Sequence, residues 1–229
     1  MSAPEPDVLL ARVEQVRNRI ADAGGDPAAV VLLAVTKGFG PEVAMAAASA
    51  GLTDLGENYA QELVAKAPVL ADAGLAPRWH AIGRLQRNKV KALAGIVSLW
   101  QTVDRIDLGQ EIAKRAPAAP VLVQVNVSDE PQKGGCAPDE APDLVARLGD
   151  AGLDVQGLMT VGRTGPAAAA RAGFAVLRGL ADDLDLPVRS MGMSGDLEAA
   201  VAEGSTMVRV GSALFGPRPS VPGPAAAPR

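Results

Sequence analysis

A chain of 229 residues, 48% hydrophobic and 21% charged, suits one large domain and has the balance of a globular rather than a disordered protein. The formal net charge of −4 and the lack of a long basic run exclude a dedicated nucleic-acid binder, because one solvated helix face explains the cationic stretch 84–91. A single cysteine, Cys136, excludes an intrachain disulfide and a cysteine-based metal cluster, and no apolar run approaches the roughly 20 residues of a membrane span.

The opening MSAPEPDVLL has neither the basic region nor the apolar core of an export signal, so the cytosol is the expected compartment. Residues 8–23 carry Val8, Leu9, Val13, Val16 and Ile20 near helical spacing and stop at Gly24-Gly25, which predicts a helix ahead of the main fold. After it, short apolar runs predict strands at 30–36, 52–56, 79–83, 97–103, 121–127, 155–161, 188–192 and 207–210. Ala-rich helical stretches alternate with them, starting near Pro41, Asn58, Gln86, Arg105, Asp139, Gly165 and Ser194 and after Gly211. Pro41 and Pro138 fit helix starts, where a missing N–H costs nothing.

Such alternation demands parallel pairing, since parallel strands need crossover connections. Runs such as VVLLAV and VLVQVNV suit strands buried on both faces. With only 3% aromatic residues the core is built of aliphatics, the filling that barrel interiors favour. The prediction is α/β: a single (β/α)₈ TIM barrel with an extra N-terminal helix over residues 1–218, with a doubly wound open sheet as the alternative. Residues 219–229 are rich in Pro and Ala, with too few apolar anchors to pack, and are expected to be a disordered tail.

Active sites of such barrels lie at the C-terminal ends of the strands. Lys37 follows the first strand directly, where partial burial lowers a lysine's pKa and exposes the neutral amine that imine formation requires. On position alone, a side chain snorkelling from a strand end is the plainer reading. The seventh strand runs into Met191-Gly192-Met193-Ser194-Gly195-Asp196 and the eighth into Arg209-Val210-Gly211-Ser212-Ala213. Both turns offer glycines that let main-chain N–H groups approach an anion, and serine hydroxyls to donate, at the place where barrel phosphate sites form. Two ordinary turns, with Ser194 as a helix N-cap, are the alternative.

Arg209, two residues before Gly211, is placed to reach a ligand's ring, although an arginine beside a strand is more often an ion-pair partner. Asn58, Ile82 and Gly83 fall on the same rim. Met159 either packs on a ligand or fills the core. His80, beside Trp79, reads more readily as a satisfied core residue than as a general base. Cys136 has no activating neighbour in sequence.

Eight motifs then stand in order: AVTK (34–37), GENYAQE (56–62), WHAIGRLQRNK (79–89), TVDR (102–105), EPQKGG (130–135), GLMT (157–160), SMGMSGDLEAA (190–200) and STMVRVGSALFG (205–216). With these the sequence resembles the pyridoxal phosphate homeostasis protein family over 8–218. The resemblance implies a fold like the N-terminal barrel of alanine racemase, with pyridoxal 5′-phosphate (PLP) as a Schiff base on Lys37. It carries over Asn58, Ser194, Gly211 and Ser212 as polar contacts, the last three at the phosphate. It also places Arg209 at the pyridine nitrogen and Met159, Ile82 and Gly83 near the ring.

Departures from the family pattern are the basic Arg84 and Arg87, Ala81 in place of an aromatic residue and Ser212 in place of threonine. The stretch after GLMT is also shorter. The implied role is intracellular PLP (vitamin B6) homeostasis and amino- and keto-acid balance without robust catalysis, by a monomer that needs no metal. Apo-PLP enzymes would be the recipients. The alternative is a PLP-dependent amino-acid racemase or decarboxylase. Alanine-racemase-type enzymes add a C-terminal domain whose tyrosine is one of two bases, whereas Tyr59 is the only tyrosine here and the chain is expected to lack that domain. A barrel for some other phosphorylated metabolite would leave Lys37 without a role.

Overall fold

The first and last strands lie side by side. Val31, Leu32, Leu33 and Ala34 pair in parallel with Met207, Val208, Arg209 and Val210, which closes the sheet. A computed structural model describes residues 3–128 and 130–217, so the expected tail 219–229 lies outside the described residues. The order is α1 (Pro6–Asp22), β1 (Val31–Val35), α2 (Pro41–Ser49), β2 (Asp54–Glu57), α3 (Ala60–Asp72), β3 (Arg78–Ala81) and α4 (Arg87–Leu93). It continues with β4 (Val97–Val103), α5 (Ile106–Arg115), β5 (Pro120–Gln124), α6 (Ala141–Asp150), β6 (Asp154–Met159) and α7 (Ala167–Asp183). The last elements are β7 (Val188–Ser190), α8 (Leu197–Ala202), β8 (Met207–Val210) and α9 (Ser212–Phe215). The strands form a closed barrel in sequence order with every pairing parallel, so the open-sheet alternative is excluded.

Period-2 alternation sorts the side chains. Leu33, Leu99, Leu122, Met159 and Met207 form a cluster inside the barrel, while their strand neighbours Leu32, Ala34, Val121, Val123 and Leu158 join the larger core under the helices. Arg209 is level with Leu33, His80 with Leu99 and Ser190 with Met159, so these polar side chains also face inward. Gly157 permits the approach of β6 to β7, since a Cβ there would stand 2.0 Å from the carbonyl oxygen of Val188.

Strands 97–103 and 207–210 agree with the sequence reading, β2 starts two residues later than read and runs one further, to Glu57, and the others end short of their expected C-terminal limits. Past the named strands, the N–H groups of Ile82, Val125 and Thr160 each add one more inter-strand bond, to the carbonyls of Glu57, Met159 and Ser190, before Gly83, Val127 and Val161 leave the ladder. Ile82 and Val161 pack against the cluster inside the barrel, whereas Val125 belongs to the core under the helices with Val127 packed against it. Helix α1 packs on α8 and α9, where Arg12 donates to the carbonyl of Leu214 at 2.9 Å. No helix among the described residues is long and apolar enough to cross a membrane. Those residues also hold no group of three or more His, Cys, Asp or Glu side chains suited to a metal ion.

Candidate functional site

Strand β1 ends in Thr36-Lys37-Gly38, and this turn carries the lysine to the barrel mouth. The ladder runs one bond beyond β1, from the Thr36 N–H to the carbonyl of Gly56 at 3.1 Å. Gly38 then turns the chain at φ +76°, a conformation that glycine adopts at little cost. Behind the turn, Thr36 Oγ1 donates to Glu57 Oε1 at 2.6 Å, and the same oxygen accepts from Lys66 Nζ at 2.6 Å. Burial pushes the Glu57 carboxyl up to about 7, against the opposing pull of Lys66 and the Thr36 hydroxyl.

The turns after β7 and β8 are braced against each other. The Met193 N–H donates to Asp196 Oδ1 at 2.6 Å, and the Ala213 N–H donates to Ser194 Oγ at 3.3 Å. Asp196, not Ser194, stands at the N-cap position of α8, so the alternative of an N-capping Ser194 is overturned. Because its oxygen accepts from Ala213, the Ser194 hydroxyl proton can be donated elsewhere. Open space surrounds the position a Cβ would take at Gly195, which leaves room for a bulky anion beside the backbone.

Arg209 is held across two strands inside the barrel mouth. Its Nη1 donates to the carbonyl of Ser190 at 2.6 Å and to Ser190 Oγ at 2.9 Å, and its Nη2 donates to the carbonyl of Thr160 at 2.6 Å. Burial pushes the guanidinium down to about 10, opposed by Asp196, so it stays cationic at neutral pH. Below it runs a buried chain of hydrogen bonds. Ser190 Oγ donates to Gln101 Oε1 at 2.7 Å, and the Gln101 amide meets His80 Nδ1 at 2.7 Å. His80 Nε2 reaches Asp54 Oδ1 at 3.0 Å, and Arg78 donates to Asp54 Oδ2 at 2.7 Å. Burial alone would raise the Asp54 carboxyl, but the bonds from His80, Arg78 and Thr53 outweigh it and hold the group down to about 2. His80 is therefore a satisfied core histidine.

One cavity of about 450 Å³ collects every residue that the sequence singled out for ligand contact. Lys37, Asn58, Ile82, Gly83, Met159, Ser194, Arg209, Gly211 and Ser212 all line it. Gly83 lets the β3 end approach the β2 loop, since a Cβ there would fall 2.1 Å from the carbonyl oxygen of Asn58. Thr102 Oγ1 fixes this approach by donating to the carbonyl of Gly83 at 2.8 Å.

Sequence reasoning missed Phe39, Gln124 and above all Lys133, a second lysine on the cavity wall. Lys133 donates to the carbonyl of Gly162 and pairs with Glu130. Its signal was a loop leaving the C-terminal end of a strand, but nothing local told which residue of that loop turns inward. Tyr59 is exposed and lines a neighbouring cavity with Arg84, Lys89 and Arg105, not the cavity of Lys37. Cys136 is buried, and burial with nearby acidic groups pushes its thiol up to about 12, which leaves it unreactive.

The chain as a whole is similar to known proteins. The family described as alanine racemase, N-terminal domain, matches residues 6–219. The chain is 44% identical to the pyridoxal phosphate homeostasis protein of Pseudomonas aeruginosa, covering 89% of this chain and 91% of that one. It is 41% identical to the protein of the same name from Aquifex aeolicus, covering 91% and 96%. Among solved structures, PipY of Synechococcus elongatus with PLP bound is 32% identical at a TM-score of 0.74, over 88% of this chain and 100% of that one. Lysine decarboxylase from Selenomonas ruminantium, 20% identical at a TM-score of 0.66 over 90% and 61%, shares the fold alone.

Proposed function

The chain belongs to the alanine racemase N-terminal domain family and, within it, to the pyridoxal phosphate homeostasis proteins; from that premise we propose that it carries PLP as a Schiff base on Lys37. The single observation behind this reading is that Lys37, Arg209 and the two Gly/Ser turns face one cavity. Its volume of about 450 Å³ lies within the range of small-ligand sites. The donor set also fits the cofactor, with an amine for its aldehyde, hydroxyls and glycines for its phosphate and apolar side chains for its ring.

Ser194, Gly211 and Ser212 hold the phosphate, with Gly195 leaving room for it. Asn58 supplies a further polar contact, and Met159, Ile82 and Gly83 pack against the ring. Arg209 faces the pyridine nitrogen with its orientation fixed by Ser190 and Thr160. Bound PLP supplies a carbonyl that amines capture and, when its ring is protonated, an electron sink. A permanently charged guanidinium at the ring nitrogen keeps that nitrogen unprotonated and weakens the sink. On this reading the protein is a carrier and buffer of PLP that serves B6 homeostasis and amino- and keto-acid balance without robust catalysis, and the same proposal takes it as a cytosolic monomer with apo-PLP enzymes as recipients. An absorbance spectrum before and after borohydride tests the reading. The expected visible band disappears on reduction and the adduct maps to Lys37. An adduct on Lys133 instead would overturn the assignment.

A further inference from the structure

Lys37 lies between two residues that are both tied to one buried ion cluster, and no member of that cluster lines the cavity. On the N-terminal side, the Thr36 carbonyl accepts from Lys66 Nζ at 2.8 Å and the Thr36 hydroxyl donates to Glu57 at 2.6 Å. On the C-terminal side, the Gly38 N–H donates to Glu62 Oε2 at 2.8 Å, and that oxygen accepts from Lys66 Nζ at 3.1 Å. Lys66 thus grips three acceptors at once, the number that its three N–H donors allow.

The cluster is an expensive way to gain stability. Lys66 and Glu57 are both 2% exposed, and Glu57 Oε2 is buried without a hydrogen-bond partner among the described residues. Taking charges out of water usually cancels their attraction, so a buried pair with an unsatisfied oxygen is a poor source of net stability. What it does supply is fixed geometry. Helix α3 starts just after β2 and carries Glu62 and Lys66 one turn apart on the face toward β1. A rigid helix thereby holds the peptide units flanking Lys37, whereas Gly38 alone would leave the turn loose.

We propose that Lys66, supported by Glu57 and Glu62, is a positioning residue that fixes the backbone on both sides of Lys37 and so aims its amine into the cavity. This rests on the reading of Lys37 as the PLP lysine. A side chain that never touches the cofactor then controls how firmly it is held, because an imine forms well only when the amine approaches the carbonyl along a fixed line.

The test compares Lys66→Met, Glu62→Ala and Glu62→Gln with the unaltered protein, each checked by circular dichroism and thermal melting. PLP affinity is measured by equilibrium dialysis, and the pH midpoint of the Schiff-base band by absorbance. Lys66→Met and Glu62→Ala should each weaken PLP about tenfold, comparable to losing one charge-assisted hydrogen bond, and move the pH midpoint of the band. Glu62→Gln keeps an oxygen for the Gly38 N–H and should restore most of the affinity that Glu62→Ala loses. If Lys66→Met does not fold, the two Glu62 variants decide the question, because Glu62 is only half-buried. Folded variants that keep the affinity and the midpoint of the unaltered protein would overturn the positioning role. Borohydride mapping of the unaltered protein separates the two claims, since an adduct away from Lys37 removes the underlying reading whatever the variants do.

Discussion

Arg19 of α1 donates from Nη2 to the main-chain oxygen of Ser194 at 2.9 Å, across 175 residues of sequence. The same guanidinium grips Glu198 of α8 at 2.6 and 2.9 Å, so the helix ahead of the barrel braces the turn proposed to hold phosphate. Arg19→Ala should weaken PLP binding a few-fold without moving the Schiff-base band. The side chain is partly exposed, and such pairs contribute only about 0.2–1 kcal/mol. Dialysis decides it: unchanged affinity would show that the Ser194 turn holds its shape without α1.

Ser194→Ala and Ser212→Ala should each cost roughly tenfold or more in PLP affinity, the value of a hydrogen bond to a charged partner. Ser194 also accepts from the Ala213 N–H, so its loss loosens both turns and should be the more damaging of the two. Stability should change little, since both hydroxyls lie at the cavity. A double variant that retains PLP as well as the unaltered protein would remove these turns from the phosphate site.

Turnover of amino acids should be negligible even with the cofactor loaded. Racemisation and decarboxylation need a stabilised carbanion and a positioned acid or base. Arg209 disfavours the former, and Tyr59 lies outside the cavity of Lys37. Lys133 is engaged by Glu130 and the Gly162 carbonyl. Chiral and carbon-dioxide-release assays across the common amino acids, with Lys37→Ala as the blank, measure the outcome. A Lys37-dependent rate near the enzyme median of about 10 per second would restore the racemase or decarboxylase reading.

Glu57 gives stability a pH dependence of definite sign. Burial raises its folded-state pKa from 4.5 to about 7, so the folded protein holds a proton there that the unfolded chain has released. Its contribution is complete below about pH 4.5 and is lost as the pH rises through 7. The melting temperature of the unaltered protein should therefore carry a downward component between pH 5 and 7.5 that Glu57→Gln lacks, since glutamine does not titrate. Parallel pH profiles for the two proteins would contradict this assignment.

The amino-acid sequence by itself determined an α/β fold of eight parallel strands, because eight apolar runs alternating with helices leave parallel pairing as the one way to bury both faces of every strand. Closure into a barrel rather than an open sheet was decided by the pairing of β1 with β8. Lys37, Ser194, Arg209 and Ser212 were legible for a local reason. Each follows or ends a recognisable strand, and the chain geometry of such a barrel sends those positions to one rim. The strand ends were overread at Val127 and Val161, which lie beyond the last inter-strand bonds of Val125 and Thr160 and whose apolar character serves packing rather than pairing.

Only the tertiary structure revealed Lys133, the Arg19 brace, the Lys66 cluster and the buried path from Arg209 through Gln101 and His80 to Asp54. Each of these depends on which side chains become neighbours when the sheet closes on itself. Closure sets β1 beside β8 and Ser190 within reach of Gln101, 89 residues earlier. Local propensity and periodicity tell which way a side chain faces from its own strand, but a hydrogen bond needs a partner at about 2.9 Å, and that distance is set by packing across the whole barrel.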